Sequence, residues 1–465
     1  MSHRNVRRRH QQQRSKIDQR VRQTDAVDFF NVLTGPDLMD TTEACLPPHR
    51  ERLYPPTVTL SMFMKQALSA DRSCQRAVDA WAAQRSAEGL NVQSIRTGAF
   101  CRARKRLPLQ MVATLARKSG RLLSDQAPQK WLWRGRIVKL ADGTGISMPD
   151  TPENQAQYPQ PVTQAKGAGF PLARLVGVIC LSTGAVLEAA LGPYEGKGNS
   201  ELDLFRGLLK TMRAGEVLLA DSLYCNYFLI SSLQAIGVDV LFEQHGARIT
   251  DFRRGLSLGK RDHIVRWPRP RVSKRPRWMT PEQHAALPTE VTLREVEVNG
   301  QVLITTMLNR RQVHKVELSR LYGMRWNVEL DLRNIKTTLQ MEVLSCLSPQ
   351  MIEVELWVYL LAYNVIRLLM AQAAHIAGVQ PREVSFKHTV QIWTEWISRS
   401  LLGRGLETET QLLRLIAQLK VGNRPGRQEP RARKRRPKAY QWLKVSRKRA
   451  RQQVRLLGYL PNTST

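Results

Sequence analysis

The stretch Ile137-Val138-Lys139-Leu140-Ala141-Asp142-Gly143-Thr144 is a short apolar run that ends on a carboxylate and a glycine turn. Farther along, Val217-Leu218-Leu219-Ala220-Asp221 repeats the pattern. Short aliphatic runs bounded by turn formers read as buried strands. Each run therefore predicts a strand with an Asp at its C-terminal edge, where open α/β sheets place their ligands. Asp is also a common turn residue, so either carboxylate taken singly has an ordinary structural explanation. Working outward, 172–180 is rich in β formers, and 184–187 reads as the return strand after a Ser-Thr-Gly turn. Residues 202–212 have helical spacing, and 238–242 read as a further strand. Strands mixed with helices imply an α/β domain.

The flanks differ in character. From about 25 to 125 the periodicity is helical, with Leu60, Phe63, Met64 and Leu68 in one segment and Ala77, Val78 and Trp81 in the next. The segment 97–108 carries Arg102, Arg104, Lys105 and Arg106 after Gly98. A basic helix following a glycine turn suits a helix that touches DNA, and an ordinary solvated helix face fits as well. Between 246 and 311 the chain is basic and broken by prolines, and Asn299-Gly300 separates two alternating runs. Asn-Gly between such runs is a hairpin signal, so this part reads as a β-rich insertion. From 316 to about 419 the pattern is helical again. Residues 1–22 and the tail beyond Asn423 are runs of cations that read as disordered arms able to follow phosphate.

The 465 residues leave room for two or three domains, and 42% hydrophobic content can build a sizeable core. Lys and Arg number 72 against 39 Asp and Glu, a net charge of +33. Such an imbalance calls for a polyanion, and nucleic acid fits because neutralising phosphates releases counterions. A membrane surface is the competing polyanion, but the longest apolar stretch, 356–376, is interrupted by Asn364, Arg367 and Gln372 and reads as a core helix. The N-terminus lacks the apolar segment of a secretory signal. The six cysteines are scattered singly without a CxxC pair, which speaks against zinc and disulfides and for a reducing, cytoplasmic compartment.

The last motif is Tyr322, Arg325, Glu329 and Lys336, at Y-x2-R-x3-E-x6-K spacing. At roughly 100° per residue the four project within about 60° of one another on one helix. Met324, Val328, Leu332, Ile335 and Leu339 form an adjacent apolar stripe. A surface helix with i,i+4 ion pairs (Arg325–Glu329, Glu329–Arg333) explains the same spacing. Joined to Asp142 and Asp221, Glu329 completes three carboxylates from separate elements, which can hold two divalent cations for in-line phosphoryl displacement. Carboxylates suit Mg2+ and Mn2+, which prefer hard oxygen ligands, and neighbouring Arg and Lys can clamp phosphate.

With these residues in hand, the chain resembles the DDE transposases of bacterial insertion sequences, in the insertion-sequence-four family. That family carries the Tyr-Arg-Glu-Lys signature at this spacing. Leu140-Ala141-Asp142-Gly143-Thr144 looks like its first catalytic block, and Leu218-Leu219-Ala220-Asp221 with Tyr224, Tyr227 and Phe228 like its second. Gly167-Ala168-Gly169-Phe170-Pro171, Gly192-Pro193, the 97–108 segment and Gly422-Asn423-Arg424-Pro425-Gly426-Arg427 are also similar. The resemblance implies an α/β fold: a ribonuclease-H-like catalytic domain (129–245 and 315–420) with a β-rich insertion (246–314). A helical DNA-binding domain (25–128) and a basic arm (1–24) precede it, and a basic tail (421–465) follows. It implies Asp142, Asp221 and Glu329 as catalytic metal ligands for two Mg2+ or Mn2+ ions, with Tyr322, Arg325 and Lys336 on DNA near the scissile phosphate. Arg102, Arg104, Lys105 and Arg106 are the expected N-terminal DNA contacts.

The implied partners are double-stranded DNA, both terminal inverted repeats and target, and a second copy in a synaptic homodimer in the bacterial cytoplasm, at the nucleoid. A nuclease of the same fold without strand transfer, and a silent DNA-binding relative, are the alternatives. Two positions depart from the family pattern: Ser222 stands where an Arg commonly follows the second Asp, and Glu243 follows an apolar strand from which it could join the acidic cluster. His245 is expected to pack rather than catalyse. Trp267 and Trp278 are expected to be buried, with base stacking as the alternative.

Overall fold

The computed structural model describes residues 53–87, 89–91, 94–398, 406–421 and 445–457. The expected basic arm, residues 25–52, Gly422–Arg427 and most of the basic tail lie outside the described residues. Four helices come first: α1 (Pro56–Leu68), α2 (Cys74–Ala87), α3 (Thr97–Lys105) and α4 (Leu109–Asp125). Val78, Phe100, Met62 and Tyr54 close a small core among the first three. α4 instead buries Met111, Val112, Leu115 and Leu123 in the main core, against the sheet.

The sheet has nine strands in the order β3-β2-β1-β4-β5-β9-β8-β7-β6. They are β1 (Val138–Ser147), β2 (Leu172–Cys180), β3 (Val186–Pro193), β4 (Val217–Ala220), β5 (Asp239–Glu243), β6 (Leu256–Gly259), β7 (Asp262–Pro268), β8 (Glu290–Val298) and β9 (Gln301–Thr305). β1–β4 and β4–β5 pair in parallel, and every other neighbour is antiparallel. Side chains alternate between two cores, as strand period requires. Leu140, Leu219 and Leu241 enter one core, and Ala141, Leu218, Ala220, Val240 and Phe242 the other.

The Asn299-Gly300 pair turns β8 into β9 with φ of 51° and 79°, the two positive values a type I′ turn needs. β9 then pairs with β5, so the segment 246–314 extends the central sheet through one continuous ladder. Inside it, Arg294 is fully buried, donating from Nε and Nη2 to the two Asp262 carboxylate oxygens at 2.8 and 2.7 Å.

Two segments differ from expectation. The strand through Asp142 does not stop there but runs on to Ser147, because β2 keeps pairing with it as far as Ser147↔Leu172. The helix expected over 202–212 is the short α6 (Glu201–Arg206), followed by a 3₁₀ turn at Leu209–Thr211. A Ser200 capping box starts α6.

The remaining helices are α7 (Tyr227–Ala235), α8 (Pro281–Ala285), α9 (Lys315–Gly323), α10 (Asn327–Arg333), α11 (Pro349–Ala377), α12 (Phe386–Ser398), α13 (Leu406–Gln418) and α14 (Arg447–Leu457), with the short α5 (Pro152–Gln157) after β1. Among the described helices, α11 is the one apolar and long enough to cross a membrane, and 94% of its apolar window is buried inside the protein. Asn364 shows why it belongs there. Its amide donates to Ala116 O and Val186 O at 2.9 Å each and accepts from Val186 N at 2.8 Å, tying α11 to α4 and β3.

The closest approach at this junction is at Gly120 of α4, where an added Cβ would lie 2.1 Å from Val186 O. Backbone cannot yield as a side chain can. Gly120→Ala is expected to push α4 off β3 and cost about 1–3 kcal/mol, read as a lowered Tm in thermal unfolding.

Candidate active site

β1 and β4 pair as Val138↔Val217, Lys139↔Leu218 and Leu140↔Leu219, a constant offset of 79 residues (217 − 138). The ladder ends at Leu140↔Leu219, and two residues beyond it on each side come Asp142 and Asp221, near enough for the charge of Asp221 to act on Asp142. Both follow residues of the same core by two positions, Leu140 and Leu219, and so leave the sheet on one face. β4 and β5 continue the pattern: Ala220↔Phe242 brings Glu243 to the level of Asp221. Asp142 within β1, Asp221 just past β4 and Glu243 at the end of β5 thus lie on three neighbouring strands.

Local bonds hold each carboxylate. Asp142 accepts from Gly143 N at 2.8 Å, and Asp221 accepts from Leu223 N at 2.9 Å at the start of a 3₁₀ turn. Burial pushes the Asp142 carboxyl up to about 7, reinforced by the negative charges of Glu201 and Asp221 and opposed by the Gly143 hydrogen bond and by Arg325.

Glu201 was not visible as a site residue in the sequence. It opens α6, accepts from the buried Tyr224 hydroxyl at 2.8 Å, and lies 3.9 Å from Arg174. Burial and the Asp221 charge raise its carboxyl too. Gly143 makes room for it: a Cβ there would sit 2.5 Å from Glu201 Oε2, so the glycine admits the carboxylate to the strand.

The segment with Tyr322, Arg325, Glu329 and Lys336 is not one regular helix. Tyr322 ends α9, Arg325 sits in a 3₁₀ turn (Met324–Trp326), Glu329 lies in α10, and Lys336 falls in a π-helical turn (Asn334–Thr338). Val328, Leu332, Ile335 and Leu339 are buried as the stripe predicts, but Met324 is exposed because the 3₁₀ turn rotates it outward.

Tyr322, expected on DNA, is 8% exposed and donates to Glu243 Oε2 at 3.2 Å, so it walls the cleft instead of reaching out of it. Glu243 therefore meets the acidic edge through that hydroxyl. Arg325 lies 3.8 Å from Glu329 and near enough to Asp142 to stabilise its charge. Lys336 Nζ donates to Thr144 Oγ1 at 3.1 Å, two residues beyond Asp142. The structure thus holds Asp221 and Arg325 within electrostatic reach of Asp142, anchors Lys336 two residues beyond Asp142, and leaves Glu329 part-exposed beside Arg325.

Among the described residues no three His, Cys, Asp or Glu side chains stand close enough to share one ion. The donor chemistry nevertheless fits a hard divalent cation. Asp142 and Asp221 offer carboxylate oxygens, and the Asp142 charge, disfavoured first by burial and then by Glu201 and Asp221, is one that a cation would stabilise.

Elsewhere, Arg102, Lys105 and Arg106 are exposed on α3. Arg104, expected on DNA with them, is buried at 6% exposure. It stacks 3.7 Å over the Phe63 ring and donates to Cys74 Sγ at 2.8 Å and Cys346 Sγ at 3.1 Å. His245 caps a turn, its Nδ1 accepting from Ala247 N at 3.2 Å. Trp267 is buried and donates to Glu295 at 2.8 Å, whereas Trp278 is 41% exposed with the Arg206 guanidinium 4.1 Å from its ring centre.

The family described as "Transposase DDE domain" matches residues 133–365, a span that includes Asp142, Asp221 and Glu329. The chain is 30% identical over 356 residues to the transposase InsG for insertion sequence element IS4 from Escherichia coli (strain K12), covering 74% of this chain and 77% of that protein. The chain belongs to the DDE transposases, in the IS4 group. A solved piggyBac transposase, in a synaptic complex with hairpin DNA, aligns over 87% of both chains at 10% identity and a TM-score of 0.41, a likeness too loose to place any residue.

For this transposase the raised Asp142 carboxyl has a thermodynamic sign. A carboxyl that ionises higher in the folded state than in the unfolded one loses stability as pH rises through its folded value, about 7 here. Asp142→Asn removes that loss. In EDTA at pH 8 the variant is expected to melt above wild type, with the difference shrinking as pH falls toward 5. Equal melting at pH 8 would show that Asp142 is not strained in the metal-free fold.

Proposed function

We propose that this transposase cuts DNA at the ends of its own element and joins those ends to target DNA, with Asp142, Asp221 and Glu329 as the catalytic carboxylates. The observation that supports the reading is the parallel pairing of β1 with β4, two residues short of Asp142 and Asp221, together with the electrostatic influence of Asp221 and Arg325 on Asp142. The strand order β3-β2-β1-β4-β5, with its first three strands antiparallel and the next two parallel, supports a ribonuclease-H-like catalytic core. In this reading 129–245 and 315–420 form that core, 246–314 is an insertion that lengthens its sheet, and 25–128 is a helical DNA-binding region.

Two Mg2+ or Mn2+ ions held by the carboxylates would supply an activated oxygen nucleophile and stabilise the leaving oxygen. The chain's own residues do the rest. Arg325 and Lys336 flank Asp142 and bring cations to where a scissile phosphate must lie. Tyr322 and Glu243 close the wall behind them. Arg102, Lys105 and Arg106 meet phosphates of the terminal repeats, while Arg104 holds α3 to the core. Element ends come in pairs, so a homodimer on two ends is the working assembly, in a reducing cytoplasm.

The test is cleavage of a plasmid carrying the DNA that flanks this gene on both sides. Wild type with Mg2+ is expected to cut at the repeats and yield joined products, and Glu329→Gln to lose about 10²–10³ or more in rate while binding the ends as before. Cuts without joined products would make the protein a nuclease; equal cutting by the variant would remove Glu329 from the chemistry. Separately, reversing Arg102, Lys105 and Arg106 to Glu is expected to weaken end binding and flatten its log–log salt slope by about 0.9 per lost phosphate contact. Arg104→Ala should lower Tm.

A further inference from the structure

α10 is seven residues long and sits between a 3₁₀ turn and a π-helical turn. With an irregular joint at each end, its own hydrogen bonds do not fix how it is rotated. Something else must aim Glu329. Two residues further on, and therefore about 200° around the helix, Asp331 points the opposite way. Glu329 is 39% exposed at its side chain, and Asp331 is completely buried.

The Asp331 carboxylate is gripped from three directions. Arg367, in the middle of α11, ion-pairs with Oδ1. Arg382, in the turn after α11, donates Nη1 to Oδ1 at 3.1 Å and Nη2 to Oδ2 at 2.8 Å. The Tyr363 hydroxyl lies 3.1 Å from Oδ1 and itself accepts from Arg367 Nε at 2.8 Å. Arg382 also donates to Leu181 O and, at 3.2 Å, to Cys180 O at the end of β2. Cys180 stands opposite Lys139 of β1, three residues before Asp142. One buried carboxylate thus joins the helix that carries Glu329, the central helix α11 and the strand pair that carries Asp142.

We propose that Asp331, clamped between Arg367 and Arg382, is the positioning residue that sets the rotation of α10 and so aims Glu329 at the cleft. The inference rests on the reading of Glu329 as a metal ligand. A buried ion pair adds little stability over a well-packed apolar substitute. What the clamp supplies is direction: the forked, bidentate contact of Arg382 allows one orientation of the carboxylate, and hence of the helix. Residues that orient metal ligands from behind typically cost 10–100-fold in metal affinity when removed.

The experiment measures Mn2+ binding by titration calorimetry and electron paramagnetic resonance, with Tm for each protein. The variants are Arg382→Gln, Arg382→Lys, Glu329→Gln and, as a control, Asp262→Asn, which opens a buried pair in the distant part of the sheet. Arg382→Gln is expected to weaken Mn2+ binding by about 10-fold or more while still folded, with Arg382→Lys recovering part of it. Asp262→Asn should lower Tm without moving the Mn2+ affinity. An Arg382→Gln protein that loses Tm yet binds Mn2+ as wild type overturns the proposal. Wild-type Mn2+ binding by Glu329→Gln would instead overturn the assignment of Glu329, whatever Arg382 does. Should Arg382→Gln not fold, Tyr363→Phe removes one contact to Asp331 and gives the same readout, and an unchanged affinity there overturns the clamp.

Discussion

Two carboxylates at the same level of neighbouring parallel strands repel each other, and much of this fold follows from holding them there. The ladder between β1 and β4 fixes the spacing, because a one-residue slip would turn every side chain of a strand to the other face. The surroundings answer with cations that are close but committed elsewhere: Arg325 to Glu329, Lys336 to Thr144. Neither forms a direct ion pair with Asp142 or Asp221 among the described contacts, so the negative potential stays available to a cation from solution. Partial burial first, and then the charges of Glu201 and Asp221, raise the Asp142 carboxyl to about 7.

The rest of the protein keeps that edge rigid with buried charge in satisfied sets. Lys139, three residues before Asp142, pairs with Glu216 one residue before β4. Glu188 on β3 accepts Arg117 of α4 at 2.6 Å, and Glu355 at the start of α11 accepts from Ser345 N and Cys346 N. An unpaired charge at any of these positions would cost several kcal/mol, so each pair fixes where two elements meet. Tying α4, α11 and β3 together through Asn364 and close contact at Gly120 does the same with neutral groups.

What could be read in advance followed from the strength of local signals. The apolar runs at 137–141 and 217–220 are strands, and Asn299-Gly300 makes its hairpin, because aliphatic content and turn chemistry act over a few residues. The end of β1 was misplaced because its continuation depends on β2, whose partners lie 33 (176 − 143) down to 25 (172 − 147) residues away in sequence. The Tyr322-to-Lys336 segment read as one helix since each piece has helical spacing; the 3₁₀ and π turns that interrupt it leave no mark in that spacing. Glu201 and Asp331 were invisible for the same reason. A glutamate at a helix start and an aspartate among Leu and Arg are ordinary surface residues until tertiary contacts enclose them.

Charge gave the partner class but not the contacts. A net +33 points to a polyanion, yet cations in one short run can have opposite fates. On α3, Arg102, Lys105 and Arg106 face solvent while Arg104 is spent inside, over Phe63 and between two thiols. Helical geometry separates them: Arg104 and Phe100 are four residues apart and share the buried face. Arg294 and Arg367 are likewise enclosed. Each of these guanidiniums is a poor candidate for phosphate, since freeing it would strand a buried partner. The cations that can meet DNA are those whose removal leaves the core intact, and around the cleft Arg325 meets that condition because its ion pair with Glu329 is at the rim, long at 3.8 Å, and open to exchange for a phosphate oxygen.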